Sequence, residues 1–257
     1  MPTSKPGSSK HGSVPGFGPD DETPIASPTT LRRARRILAP LARYHRFTVE
    51  GLENLPLTGP VLLAVHHSLA TYDGFLIGSA IYEGTGRLPR GLGDDRIFQI
   101  PGLGALARDI GIVPASPEAG ERLLREGHVL GVAPGGMWES LRPRDERRQS
   151  RWDNRKGFAR LALRTGAPLV MAACPAADDL YTVYPNPLTD RVYRRVHLPV
   201  PIVRGIGPTV LPRPVKLTAY LSRPLFPPAY DPAHEEAQVD ELHAEATATM
   251  AELLGRR

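Results

Sequence analysis

The stretch "HHSLATYD", His66 to Asp73, puts two histidines and a carboxylate within eight residues. An imidazole titrates near neutrality and can take a proton from a hydroxyl, while a carboxylate can orient the ring and stabilise the imidazolium that forms. His67 and Asp73 are the candidates for that pair. On one continuous helix their six-residue spacing would turn the side chains about 240° apart. They can meet only if His67 lies in a loop and Asp73, in the first turn of the next helix, faces back toward it. A helix N-terminus nearby would disfavour the cation and leave the ring available as a base. The alternative is that Asp73 is simply a favourable charge at a helix start.

Two further stretches carry chemistry. "GVAPGGMWES" sets Pro134, Gly135 and Gly136 after an apolar run. Two glycines permit close backbone approach and amides aimed at an anion or oxyanion; the plain alternative is a tight turn. Glu139 in the same stretch reads as a solvated charge. In "RWDNRKGF", Arg155 and Lys156 lie where a helix begins, a position that disfavours cations unless an anion binds there. Two exposed side chains tolerating a screened cost is the other reading. Cys174 reads as a small buried apolar residue. The histidines lack a third ligand at zinc spacing, so no metal site is expected. There is no G-x-S-x-G elbow, no P-loop and no G-x-G-x-x-G fingerprint.

The elements that must position these residues alternate between strand and helix. "VLLAV", "IGIVP", "HVLGVA", "PLVMAAC" and "RPVKLTAYLSRPL" read as strands. "YDGFLIGSAIYE" reads as a helix, as does "SPEAGERLLREG", with Ser116 as its cap and Gly127 as its stop. "DNRKGFARLALRTGAP" is a third, capped by Asp153 or Asn154 and ended by Gly166, and residues 231–255 close the chain with an amphipathic helix. This order predicts an α/β fold whose mixed, largely parallel sheet is flanked by helices. If "VLLAV" is a buried strand, His67 leaves its carboxyl end, where ligands of open α/β sheets bind.

At 257 residues the chain can bury a sizeable core. Residues 1–29 are rich in Pro, Gly, Ser and Thr and are expected to be disordered; residues 30–257 form the domain. From Thr30, Leu31, Ala34, Leu38 and Leu41 recur at helical spacing with Ile37 widening the stripe, among Arg32, Arg33, Arg35, Arg36 and Arg43. Pro40 should kink or end this helix. Such a basic amphipathic helix can lie on an anionic membrane surface or pack against its own domain. The net charge of +5 suits anionic partners, and no aromatic-interleaved surface points to nucleic acid. One cysteine excludes an intramolecular disulfide. No apolar stretch approaches the ~20 residues that cross a bilayer, and residues 1–24 lack a signal-peptide core. The expected location is the cytoplasm, with peripheral binding to the inner face of the plasma membrane.

Taken in order, these segments resemble the glycerolipid acyltransferase superfamily, above all its diacylglycerol and monoacylglycerol acyltransferase-like branch and the soluble bacterial relatives of that branch. The resemblance covers roughly residues 45 to 228. "VEGLENLPLTGPVLLAVHH" resembles the family's first block, and His67 and Asp73 match the His-x5-Asp of that branch. Pro134, Gly135, Gly136 and Glu139 resemble its Pro-Gly-Gly-x-x-Glu block, and "WDNRKGFARLALRTGAPLV" its Arg-Lys-Gly-Phe block. Lysophosphatidate acyltransferases carry Phe-Pro-Glu-Gly-Thr-Arg where this chain has "APGGMW", so Gly135 replaces the glutamate and Trp138 the arginine. "IGIVPAS" also lacks the arginine that serves an acceptor phosphate.

The resemblance implies O-acyl transfer from acyl-CoA, or another acyl thioester, to the hydroxyl of a lipid-like acceptor, favouring an uncharged one. His67 would be the base and Asp73 its partner. Gly135, Gly136, Glu139, Arg155 and Lys156 would contact substrate, the two cations serving the donor phosphates. No cofactor beyond acyl-CoA as co-substrate is implied. The alternatives are a lysophosphatidate or other lysophospholipid acyltransferase, a hydrolase releasing the acyl group to water, and a non-catalytic acyl-lipid-binding protein on the same scaffold.

Overall fold

A computed structural model describes Ala26, residues 28–184 and residues 202–256. The expected disordered tail therefore lies largely outside the described residues. The chain opens with α1 (Pro28–Tyr44), β1 (Thr48–Glu50), β2 (Val61–Val65) and α2 (Tyr72–Thr85), then β3 (Arg90–Gly93), α3 (Asp95–Gln99), α4 (Leu103–Asp109) and β4 (Ile112–Pro114). It continues through α5 (Pro117–Arg125), β5 (Val129–Val132), α6 (Gly136–Ser140), α7 (Gly157–Thr165) and β6 (Leu169–Ala173). A short antiparallel hairpin of β7 (Thr182–Tyr184) and β8 (Ile202–Arg204) precedes β9 (Thr218–Leu221), and α8 (Glu235–Leu254) ends the chain.

Seven strands form one sheet in the order β1-β9-β6-β2-β5-β3-β4. The five from β6 to β4 run parallel, and β9 meets β6 antiparallel, carrying β1 with it. The fold is thus the mixed, largely parallel α/β sheet that the sequence predicts. β2 is central and buried along Val61–Ala64, and its side chains alternate between two cores as the strand period requires. Leu62 and Ala64 join Leu130, Leu169 and Met171 against α5, α7 and α8, while Val61 and Leu63 join Val170 and Ala172 against Leu76, Ile77 and Ile81 of α2. Each fully buried Leu or Ile stabilises by about 1.5–3 kcal/mol relative to exposure. Ion pairs from Arg160 and Arg164 to Glu235 tie α8 to α7 at the surface, where such pairs add at most about 1 kcal/mol.

Three local expectations change. α1 runs through Pro40 to Tyr44 instead of ending there. Proline leaves the carbonyl four residues earlier, on Arg36, without its helical donor, but both residues are exposed and water can serve it. Ile37 does not widen the buried stripe: it is 68% exposed, on the outer face with Arg33 and Arg36. α7 begins at Gly157 with Lys156 at its cap position and no side-chain cap, in place of Asp153 or Asn154.

Candidate active site

Because β2, β5 and β6 are parallel neighbours, their carboxyl ends emerge together: Ala64 pairs with Val132 and Val65 with Ala172. His66 and His67 leave β2 there, Ala133 to Gly136 leave β5, and Cys174 leads from β6 into the 3-10 turn Pro175–Asp179. His66 continues the ladder, its amide donating to the Ala172 carbonyl at 2.9 Å. His67 is the first residue free of it. The loop then turns sharply through Thr71, whose φ of 61° is unusual for a β-branched residue.

That turn meets the geometric condition on Asp73, which sits buried in the first turn of α2 and faces back into the loop. Its hydrogen bond, however, is to Ser68: Ser68 Oγ donates to Asp73 Oδ1 at 2.6 Å, and Oδ2 has no hydrogen-bond partner. The His67 ring instead donates from Nδ1 to the Ser68 carbonyl at 2.9 Å. A carbonyl can only accept, so this contact fixes the proton on Nδ1 and leaves the Nε2 lone pair open. Ser68 is the residue between the two, and sequence reasoning passed over it. Burial pushes the Asp73 carboxyl up to about 6 against the opposing pull of the Ser68 hydroxyl. Burial, with Arg142 adding to it, holds the His67 ring below the usual imidazole range, so the ring is neutral at pH 7.

Glu139 is not a solvated charge. It is 0% exposed, and its Oε2 accepts the backbone amide of His67 while Oε1 accepts that of Arg151, both at 3.1 Å. Gly135 makes room for it: a Cβ there would fall 2.4 Å from Glu139 Cβ and 2.7 Å from its Oε2. The Gly136 amide is already committed to the Ala133 carbonyl at 2.9 Å, so it is not free to meet an anion. Arg155 stays at this edge with Nη1 on the Gly135 carbonyl at 2.6 Å, whereas Lys156 turns to Asp240 of α8 at 2.6 Å. Cys174 is buried and its thiol pushed up by desolvation, the state of an inert core residue.

Beneath the histidine loop lie residues that sequence reading did not single out. Arg142 Nη2 donates both to the His67 carbonyl at 3.1 Å and to Asp178 Oδ1 at 2.7 Å, and Nη1 lies 3.7 Å from Glu139. His66 is buried beside them, its pKa lowered to about 3 by desolvation first and Arg142 next. Among the described residues no group of three His, Cys, Asp or Glu side chains could hold a metal ion. Nor is any described helix long and apolar enough to cross a membrane.

The model of the family described as Acyltransferase matches residues 46–174, just over half of the chain, including the histidine loop and the segment from Ala133 to Gly136. The chain belongs to the Acyltransferase family. Its sequence is 30% identical over 206 residues to the Bos taurus and Homo sapiens proteins named "DGAT1/2-independent enzyme synthesizing storage lipids". These alignments cover 77% of this chain but 58% and 60% of those proteins, so the chain spans about three fifths of their length. An uncharacterized Mycobacterium tuberculosis protein is 28% identical over 239 residues, 86% of this chain and 67% of that one. The fold is also that of the 1-acyl-sn-glycerophosphate acyltransferase PlsC from Thermotoga maritima, with a TM-score of 0.56 at 15% identity over 88% of this chain and 80% of that one.

Proposed function

We propose that the donor is acyl-CoA or another acyl thioester, that the acceptor is the hydroxyl of an uncharged glycerolipid or alcohol, and that His67 is the general base. The observation that carries this reading is the Nδ1–H bond from His67 to the Ser68 carbonyl, which leaves Nε2 as the basic atom of a ring that is neutral at pH 7. Nε2 takes the acceptor proton as its oxygen attacks the thioester carbonyl carbon. The carbon–sulfur bond then breaks, and the imidazolium returns the proton to the departing thiolate. Asp73 stabilises the imidazolium by its charge and, through Ser68, shapes the loop that holds the ring. The Gly135 amide is the candidate donor to the oxyanion, since that of Gly136 is spent. Arg155 is the better candidate for a donor phosphate, because Lys156 is paired with Asp240.

An uncharged acceptor is supported by Gly135 and Trp138 standing where the lysophosphatidate enzymes place a glutamate and an arginine, and by the storage-lipid activity named for the bovine and human relatives. The test is incubation of purified protein and its His67→Ala variant with radiolabelled palmitoyl-CoA and a pool of lipid alcohols and lysophospholipids. Expected is a neutral product that needs both the acceptor and His67. Its rate should fall by about 10²- to 10⁴-fold in the variant. Full activity in His67→Ala would remove the mechanism, and free fatty acid alone would make the protein a thioesterase.

A further inference from the structure

The peptide unit of His67 is held at both ends by buried charge. Its N–H donates to Glu139 and its C=O accepts from Arg142, whose same nitrogen also binds Asp178. The three side chains come from α6, from the segment just after it and from the 3-10 turn after β6, and the side chains of all three are almost wholly buried. The second oxygen of Asp178 accepts the Arg148 amide at 2.8 Å, and the second oxygen of Glu139 accepts that of Arg151. The assembly therefore anchors the loop of residues 142–151 as well. From this geometry we infer that Arg142 and Asp178 are positioning residues, a buried clamp that fixes the backbone of His67 so that its ring can be aimed only by rotation about its own side-chain bonds. The inference rests on the reading of His67 as the base.

The arrangement is costly, which argues for a use. Arg142 Nε and Nη1 are buried without hydrogen-bond partners. An apolar core of the same volume would avoid those penalties and would hold the strands as well. What it would not do is grip one loop peptide through both its polar groups. Backbone displacement matters here because a misplacement of about 1 Å in a reacting group costs on the order of 100-fold in rate. The charged and titratable groups around His67 are Glu139, Arg142, Asp178, His66 and, on α2, Asp73. Arg142 is the cation among them that opposes protonation of His67.

Two variants and one wild-type measurement test the clamp. Arg142→Lys keeps the charge but cannot reach both acceptors as the guanidinium does. It should lower kcat by about tenfold or more while changing KM for palmitoyl-CoA less than about twofold, because the ring is misaimed and the donor site untouched. Arg142→Gln removes the charge and should move the acidic limb of the pH–rate profile to higher pH than Arg142→Lys does, because both variants loosen the loop but only Gln also removes the cation that opposes protonation of His67. In the wild-type protein the His67 amide should exchange with deuterium as slowly as the β2 amides beside it, despite lying in a loop. A His67 amide that exchanges like an unprotected loop would overturn the clamp, and so would folded Arg142→Lys enzyme with wild-type kcat. Full activity in His67→Ala is the different outcome that removes the base itself.

Discussion

Asp73 shows how one residue can be set against the stability of its own fold. It loses its proton near 3.8 in an unfolded chain but only near 6 in the folded protein. Between those values the native state holds a proton that the unfolded chain has lost, so stability falls as pH rises through that window. At pH 7 the ionised carboxylate costs about 3 kcal/mol. Asn at this position keeps an acceptor for the Ser68 hydroxyl and carries no charge. Asp73→Asn should therefore melt higher than wild type at pH 7, with the difference vanishing below pH 4, while transferring acyl groups at least about tenfold more slowly. Thermal melts across pH, beside turnover assays, check both halves. His67 and Asp73 could be picked out from residue type and spacing, but Ser68 could not. The x5 spacing says how far apart the two lie along the chain, and only the turn at Thr71 decides which loop group the carboxylate meets.

α1 is the element whose sequence reading is most altered by packing. Leu31, Ala34, Leu38, Leu41 and Ala42 are partly covered, Leu38 and Ala42 against the α2 side of the sheet, so the apolar stripe is used inside the domain. The outer face is left with Arg32, Arg33, Arg35, Arg36 and Arg43 around the exposed Ile37. A helix so placed offers a membrane charge and little apolar surface to insert. Binding to vesicles containing anionic lipid should be strong at low salt and largely lost near 0.5 M, where the screening length is about 4 Å. Replacing Arg32, Arg33 and Arg36 by Gln should abolish it. Co-sedimentation at two salt concentrations measures this, and salt-independent binding would point to insertion elsewhere. The periodicity that marks α1 as amphipathic is the same for a helix on a membrane and one on a domain, and only the packing of Leu38 and Ala42 shows that the apolar stripe is used inside the domain.

For the whole molecule, the central sheet joins stability to chemistry, because the strands that fill the core are those whose ends carry the site. Leu62 of β2 is fully buried against α7 and α8, and Leu62→Ala should cost about 2–5 kcal/mol, read as a lower urea midpoint at unchanged m-value. The alternation of strand and helix, the glycine turn after β5 and the histidines after β2 were legible in local pattern, because periodicity, turn chemistry and residue type are properties of short segments. The burial of Glu139, Arg142 and Asp178 was not. Arg142 is one of several arginines in "LRPRDERRQSR", and Asp178 lies 36 residues further on. Nothing local distinguishes them from solvated charges. They become partners only because β2, β5 and β6 lie side by side and empty their loops onto one edge. The sequence by itself determined the α/β class and the chemical kinds of group at that edge. The tertiary structure alone decided which oxygen the His67 ring binds and which charges are shut away from water, since hydrogen-bond partners and desolvation are set by neighbours in space.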